Sequence, residues 1–182
     1  MNIGIRLGAP VEPTIWTYER IRDTYGDITG YVKEFKNFAA DDDVNGPVYF
    51  LRALYDDAKD RELIPQDVAN AWLNYAREGV GMFWWGGYGI STEHTAYLNL
   101  KHGIPAPDSG SIKQNGKIMA EQIGGQIFID TWGLVNPCNV KKLQITEKLQ
   151  QVFPMMEMVN MGQDFSAPVF QKHLKHRILW KL

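Results

Sequence analysis

Apolar residues recur at helical spacing in several stretches of the chain. The first stretch follows Glu12 and ends at Tyr25-Gly26-Asp27, which indicates a helix with a glycine stop. A second follows Asn45-Gly46-Pro47, which predicts a helix start with proline in the first turn. A third helix is predicted from about Pro65 to Arg77, with Gly79 as its C-terminal cap. Its predicted apolar face comprises Val68, Ala69, Trp72, Leu73, Tyr75 and Ala76.

A fourth helix is predicted from about Gln114 to Trp132. Hydroxyls of Ser109-Gly110-Ser111 precede it as candidate caps, and Gly124-Gly125 would let another helix approach closely. Its predicted buried side consists of Ile118, Met119, Ile123, Ile127 and Phe128. Residues 79–92 are too rich in glycine and bulky aromatics for a regular helix, so they predict a structured loop. Because no alternating strand pattern is strong, the predicted fold class is all-α.

Composition excludes several classes of protein. The chain has 182 residues, 45% of them hydrophobic, which suffices for one domain with its own core. A formal net charge of -2 disfavours nucleic-acid binding that depends on phosphate neutralisation. The single cysteine, Cys138, indicates a reducing and cytoplasmic location. No apolar run is long enough for a membrane span, and the N-terminus lacks a secretory signal pattern.

Three consecutive carboxylates, Asp41, Asp42 and Asp43, are the sharpest local feature. Their mutual repulsion calls for cations or backbone N–H groups, and hard oxygen ligands suit Mg²⁺, Mn²⁺ or Ca²⁺. The alternative is a solvated acidic turn that the helix dipole favours. No His-x-His or Cys-x-x-Cys spacing indicates zinc. We expect the four histidines to be ordinary surface residues: His94, His102, His173 and His176.

Glycine-rich segments are the next candidates. Backbone N–H groups of Gly86-Gly87-Tyr88-Gly89 can approach a phosphate, and Ser109-Gly110-Ser111 with Asn115-Gly116 adds neutral donors. The same residues also make ordinary turns and caps. Trp84 and Trp85 are candidates either to stack on a base or to fill the core.

Taken in order, these segments resemble the ADP-ribosylglycohydrolase family, which includes the dinitrogenase reductase-activating glycohydrolase. The family opens with Gly-Asp-x-x-Gly-x-x-x-Glu, continues with Thr-Asp-Asp-Thr before a helix, and then carries a Gly-Ser…Asn-Gly…Met block. The corresponding residues here are Gly8 to Glu12, Ala40-Asp41-Asp42-Asp43, Gly110-Ser111, Asn115-Gly116 and Met119. The likeness spans about residues 4–141, and the order of the motifs makes it specific.

The resemblance implies an all-α helical bundle with a two-metal Mg²⁺ or Mn²⁺ centre at the base of an ADP-ribose cleft. It implies that Asp41 and Asp42 are catalytic metal ligands and that Glu12 binds metal or helps to activate water, with Asp43 as a compensating ligand. The implied substrate-binding residues are Tyr88, Gly89, Ser109, Gly110, Ser111, Asn115 and Gly116. The implied reaction is hydrolysis of a glycosidic bond to ADP-ribose or a related ribosyl compound, and the implied partner is an ADP-ribose-containing small molecule or an ADP-ribosylated protein.

The chain also departs from the family pattern. Ala40 and Asp43 replace two threonines, and Ile5 replaces the first aspartate of the opening motif. The family's second metal motif, Asp-x-Asp-Thr, does not occur in residues 44–182, so half of the expected metal cage is missing. We therefore expect weak metal binding and little or no activity.

Composition changes abruptly after Lys141. Of the 17 glycines, 16 precede Lys142, and residues 1–141 carry a net charge of -5 against +3 for residues 142–182. Codons can be chosen for Leu143 to Gly162 so that the frame one nucleotide earlier reads like the family's continuation, with its Ser-His-Asp-Gly segment. The prediction is a partial, truncated domain over residues 1–141, lacking most of the family's first helix, and a poorly ordered out-of-frame tail over residues 142–182. The alternative is a lineage-specific tail whose core helix is rich in methionine.

Two other functions stay open at this point. One is a non-catalytic helical module that binds ADP-ribose or a nucleotide, with the aspartates only capping a helix. The other is a different metal hydrolase that acts on phosphoesters.

Overall fold

A computed structural model of the protein describes residues 2–36, 41–59, 61–83, 86–122, 127–128 and 130–135. Within these residues the protein is helical and contains no strand, only one isolated bridge between Glu78 and Phe83. The predicted all-α class is therefore confirmed for this part of the chain. None of its helices is long and apolar enough to cross a membrane.

Eight α-helices follow one another along the described residues. They are α1 (Asn2–Gly8), α2 (Tyr18–Tyr25), α3 (Asp42–Ala53), α4 (Pro65–Tyr75), α5 (Thr92–Lys101), α6 (Ile112–Asn115), α7 (Lys117–Ala120) and α8 (Asp130–Val135). A π-helical turn, Leu54–Ala58, continues α3, and a 3₁₀ turn, Asp108–Gly110, precedes α6. Helix α4 packs against both α3 and α5, and α8 packs against α3.

The core forms where α3 and α4 meet the loop before α5. Trp72 of α4 lies at its centre, with ring centroids 6.2 Å from Phe50, 5.9 Å from Phe83 and 6.3 Å from Phe128. All four rings are fully buried. Tilted and edge-on contacts of this kind add to the hydrophobic gain of burying large rings. The core therefore joins residues from four separate parts of the chain.

Two predicted helix boundaries are confirmed. Helix α2 ends at Gly26, which adopts φ 66° and donates its N–H to the Arg22 carbonyl. Helix α4 begins at Pro65, where a proline loses no hydrogen bond because first-turn N–H groups have no partner within the helix. The buried face of α4 contains Val68, Ala69 and Trp72 as predicted, whereas Leu73 and Tyr75 lie at its exposed edge.

The predicted start of α3 at Asn45-Gly46-Pro47 is wrong. Helix α3 begins at Asp42, and the Asn45 N–H already donates to the Asp41 carbonyl at 3.0 Å. Carboxylates in a first turn are favoured by the helix dipole, so the aspartates extend the helix backwards. Gly46 is needed inside the helix because a Cβ there would lie 2.5 Å from the Phe128 ring.

Two other predicted boundaries are also wrong. Ala76, in extended conformation, ends α4, and Gly79 instead makes a turn in which its N–H donates to the Phe83 carbonyl. The helix predicted from Gln114 to Trp132 is interrupted at Gly116, whose φ of 77° is incompatible with a continuous helix. Ile118, predicted to be buried, is 88% exposed because α7 has only four residues and presents no continuous buried face.

Helix α5 was missed by the sequence analysis. Eight of its ten residues are buried, and they include both apolar side chains and polar ones such as Thr92, Thr95 and Asn99. A helix buried on nearly every side shows no apolar stripe, so its pattern carries no amphipathic signal. Ser91 caps it by accepting the His94 N–H at 3.4 Å.

Several predictions fall outside the described residues. They concern Trp84 and Trp85, the Gly124-Gly125 pair, His173 and His176, and the tail over residues 142–182. Ala40 also lies outside them.

Gly46→Ala is expected to destabilise the protein by about 1–3 kcal/mol, because the buried Phe128 ring has no room to yield to a new methyl group. Urea denaturation measures the free energy of unfolding. Gly4→Ala in α1 is the matched control, since nothing lies within 4 Å of its Cβ position. Equal stability of the two variants would contradict the close Gly46–Phe128 packing.

Candidate functional site

Three of the four predicted metal-binding carboxylates line one pocket, whereas Asp42 does not line it. The turn after α1 brings in Glu12, and the start of α3 brings in Asp41 and Asp43. Residues of α1 and its following turn form the rest of the wall, and the pocket has a volume of about 520 Å³. We call this the acidic pocket. The structure thus brings together carboxylates that lie about 30 residues apart in the sequence.

Burial and mutual repulsion raise the pKa values of these carboxylates. The pKa of Asp41 rises to about 6, first because of its burial and then because of repulsion from neighbouring carboxylates, with a backbone N–H at Val44 opposing the rise. Burial and repulsion from Asp43 also raise the pKa of Asp42. The pKa of Glu12 is raised for the same two reasons. Negative charge is therefore concentrated here.

One further observation bears on whether a cation fits the acidic pocket. Oδ1 of Asp41 is buried and has no hydrogen-bond partner in the part of the chain that the structure describes. A buried carboxylate oxygen without a donor is costly, and a divalent cation would remove that cost. However, among the described residues no three His, Cys, Asp or Glu side chains are grouped closely enough to hold a metal ion. The donor chemistry fits a hard cation, but the described donors do not form a complete cage.

Glu93, which the sequence analysis missed, extends this charge toward α5. It lies in the first turn of α5 and is buried. Burial raises the pKa of Glu93, and repulsion from Asp42 adds to the rise. The first turn of α5 is therefore close enough to the start of α3 for the two acidic residues to interact.

A second pocket contains four of the predicted substrate-binding residues. Tyr88 and Gly89 form one wall, and Asn115 and Gly116 form the opposite wall, around a volume of about 520 Å³. We call this the Tyr88 pocket. Its remaining lining residues are Thr95, Gln114, Lys117, Ile118 and Met119.

Polar side chains of α5 hold both walls of the Tyr88 pocket. The Thr95 hydroxyl accepts the Gly89 N–H at 3.0 Å. Three residues before it, the Thr92 hydroxyl donates to the Met119 carbonyl of the other wall. Residues spaced by three or four share one face of a helix, so a single face of α5 sets the separation of the walls.

Asn99 continues this face and fixes the loop that carries the predicted serine residues. Its Nδ2 donates to the Ser109 carbonyl at 2.7 Å and to Oδ1 of Asn115 at 2.7 Å. The Asn115 amide donates in turn to the Ser109 carbonyl at 2.9 Å. Both ends of the Asn115 side chain are therefore engaged in holding the loop.

The predicted serine residues occupy different positions. Ser111 caps α6 by accepting the Gln114 N–H at 3.1 Å, as the sequence predicts. Ser109 and Gly110 are buried behind the Tyr88 pocket and do not line it. The Ser109 hydroxyl has no hydrogen-bond partner among the described residues. The structure therefore separates these residues into pocket walls and their support.

His94 is not the surface residue that the sequence predicts. It is 7% exposed, and its ring stacks on Phe83 with centroids 4.6 Å apart. Its Nε2 lies 3.8 Å from Oε2 of Glu78, and the other oxygen of that carboxylate, Oε1, accepts from Lys101 at 2.6 Å. Burial follows from the unpredicted helix α5. His102 is exposed as predicted.

Comparison of the chain with protein-family models, with curated proteins and with solved structures finds no match in any of the three. The assignment of a function therefore depends on the residues of the two pockets and their chemistry.

Asp41→Asn is expected to change how stability depends on pH. Because the folded pKa of about 6 exceeds the unfolded value of roughly 3.9, ionising Asp41 costs folding free energy. That cost is absent below about pH 4 and complete above pH 6. The variant should therefore be more stable than wild type at pH 7 by about 1 kcal/mol after solvent screening, and equally stable at pH 4.

The measurement is urea denaturation from pH 4 to pH 7 in EDTA. Asp27→Asn, in an exposed turn, is the control and should follow wild type. A pH profile of Asp41→Asn parallel to that of wild type would show that Asp41 ionises without penalty.

Asn99→Ala is expected to lower the free energy of unfolding by about 1–3 kcal/mol, because it removes the buried Asn99 amide that donates to the Asn115 side chain. Thermal unfolding measures the loss. Asn74→Ala, at an exposed position of α4, should stay within about 0.5 kcal/mol of wild type. A similar, small effect of both substitutions would argue against a supporting role for Asn99.

Proposed function

We propose that the chain is a metal-dependent hydrolase of the ADP-ribosylglycohydrolase type, which acts on a glycosidic bond to ADP-ribose or a related ribosyl compound. One observation carries this proposal. Residues singled out by the family resemblance line two pockets, and side chains of α5 interact with residues of both motif sets. Glu93 of α5 is near enough to Asp42 for their charges to repel, and Thr95 of α5 accepts the Gly89 N–H. Helix α5 thus connects acidic and ligand-binding residues, as a site with separate metal and substrate parts requires.

The acidic pocket is the proposed metal-binding part. Mg²⁺ or Mn²⁺ would be held by Asp41 and Asp42, together with Glu12 and Asp43. A shared cation would lower the free-energy cost of ionising these crowded carboxylates. A bound divalent ion supplies a water of lowered pKa and polarises the sugar oxygens. Glu12 is exposed and lines the same pocket, so its carboxylate would serve as a ligand or as a proton acceptor.

The Tyr88 pocket is the proposed substrate-binding part. Tyr88 is 60% exposed, and Gly89 and Gly116 have no side chains that would fill the pocket. An exposed ring suits a flat group. The two glycines supply space and not donors, because their N–H groups already donate to Thr95 and to the Ile112 carbonyl. Ser109, Gly110, Ser111 and Asn115 would then orient this surface more than contact the ligand.

We also propose that metal binding by this chain is weak and that turnover is slow or absent. The second aspartate motif is missing from the sequence after Val44, and the described residues contain no group of three metal-ligating side chains. Each ligand that a divalent site lacks lowers both its affinity and the fixed geometry that catalysis needs.

A second candidate is a non-catalytic helical module that binds ADP-ribose or a nucleotide. It is favoured by the same lack of three grouped donors among the described residues, together with a formed Tyr88 pocket. In that case the aspartates serve only the start of α3.

Calorimetry with ADP-ribose, with and without Mg²⁺ or Mn²⁺, separates the two candidates. The hydrolase proposal expects metal to strengthen ADP-ribose binding by roughly 5-fold or more, and Asp42→Ala to abolish that coupling. Asp27→Ala should retain it, since that residue lies in a remote exposed turn. ADP-ribose binding that changes neither with metal nor with the Asp42 substitution would support the non-catalytic module instead.

Chromatography of an ADP-ribosylated peptide incubated with the protein and Mn²⁺ tests turnover. We expect little release of ADP-ribose. Rapid release that depends on Asp41 and Asp42 would contradict the proposal of weak activity and retain the proposal of a hydrolase.

A further inference from the structure

The Tyr88 pocket contains a charged side chain that neither the family resemblance nor the motifs predict. Lys117 is the only charged side chain among the nine residues that line it. The others offer a phenol, amides, a hydroxyl, apolar groups and glycine backbone. A single cation in an otherwise neutral pocket favours a ligand that carries negative charge.

The Lys117 ammonium is available to a ligand. Its side chain is 74% exposed, and its partner is Glu121, the residue after α7, with 3.6 Å between Nζ and Oε1. That separation is longer than a hydrogen bond, and exposed ion pairs of this spacing are weak. Moving Nζ from Glu121 to a ligand in the pocket therefore costs little free energy.

Two glycines leave space for a ligand beside this cation. Gly89 and Gly116 lie on opposite walls with φ of 75° and 77°, and nothing lies within 4 Å of the Cβ position of either. Backbone on both walls is thus open to close approach. Tyr88, next to Gly89, adds an exposed ring on which a flat group can stack.

We propose that Lys117 selects a phosphate-bearing ligand for the Tyr88 pocket, with its phosphate at Nζ and its flat, uncharged part against Tyr88. Lysine acts as a point charge toward phosphate, and the two glycines leave the space that a phosphate needs beside it. The choice of a nucleoside diphosphate as that ligand rests on the proposed function. The role of Lys117 depends only on the pocket.

The test measures binding of ADP, adenosine and inorganic pyrophosphate in EDTA by calorimetry. Lys117→Met should weaken ADP binding by about tenfold or more and leave adenosine unchanged. Lys117→Arg, which keeps the charge, should bind ADP within about threefold of wild type. Lys113→Met is the matched control, because Lys113 is exposed on α6 and does not line the pocket.

Pyrophosphate separates the two parts of the ligand. Its binding, if it also depends on Lys117, supports phosphate recognition without the nucleoside. Equal ADP affinities for Lys117→Met and Lys113→Met would overturn the proposal, as would a wild-type protein that does not distinguish ADP from adenosine. Circular dichroism of each variant confirms that a loss of binding is not a loss of fold.

The proposed role of Lys117 can be wrong while the proposed function is right, and the reverse also holds. EDTA removes any contribution of metal, so Lys117-dependent ADP binding stands even where no hydrolysis and no metal coupling are found. Conversely, hydrolysis that depends on Asp42 but not on Lys117 would overturn this inference and leave the hydrolase intact.

Discussion

Helix α5 places a row of polar side chains inside the protein, and every polar group taken out of water needs a hydrogen-bond partner. Thr92, Thr95 and Asn99 find theirs in the loops on either side of the helix. The Gln122 amide adds a further link, since it donates to the Ile90 carbonyl and accepts the Thr92 N–H. The positions of both walls of the Tyr88 pocket therefore depend in large part on hydrogen bonds to α5.

The acidic pocket is governed by the opposite kind of constraint. Its carboxylates are held close by the start of α3 and the turn after α1, so their charges repel one another. The dipole of α3 offsets part of this repulsion, since its positive end lies at Asp42 and Asp43. Packing thus determines one pocket, and repulsion between neighbouring carboxylates is the main feature of the other.

Local chemistry made parts of the fold predictable from the sequence. Gly26 ends α2 because only glycine adopts its left-handed conformation easily, and Pro65 begins α4 because its missing N–H is not needed there. Some of the motif residues also lie together: Glu12 lines one pocket with Asp41, and Tyr88 lines the other with Asn115.

Contacts between distant residues were not predictable in this way. Helix α5 was not predicted, because its polar residues are buried by loops whose proximity the sequence does not reveal. Gly46 was predicted to lie at a helix start, whereas a glycine is needed there to leave room for the Phe128 ring, more than 80 residues later. Lys117 resembled any exposed lysine until the break at Gly116 put it beside Tyr88. In each case tertiary packing overrides the local pattern.

The contact of α3 with Phe128 and Thr131 has a consequence for the order of folding. Phe128 packs on Gly46, and the Thr131 hydroxyl donates to the Pro47 carbonyl at 3.1 Å, across a separation of 84 residues. During synthesis, α3 leaves the ribosome long before these partners exist, and so its inner face stays open to water or to chaperones for several seconds at typical rates of about 5–20 residues per second. The segment that carries the acidic pocket thus reaches its final packing only when residues around Thr131 have been made. Contacts between residues so far apart in sequence form slowly, and this lengthens the interval in which apolar surface is exposed to aggregation.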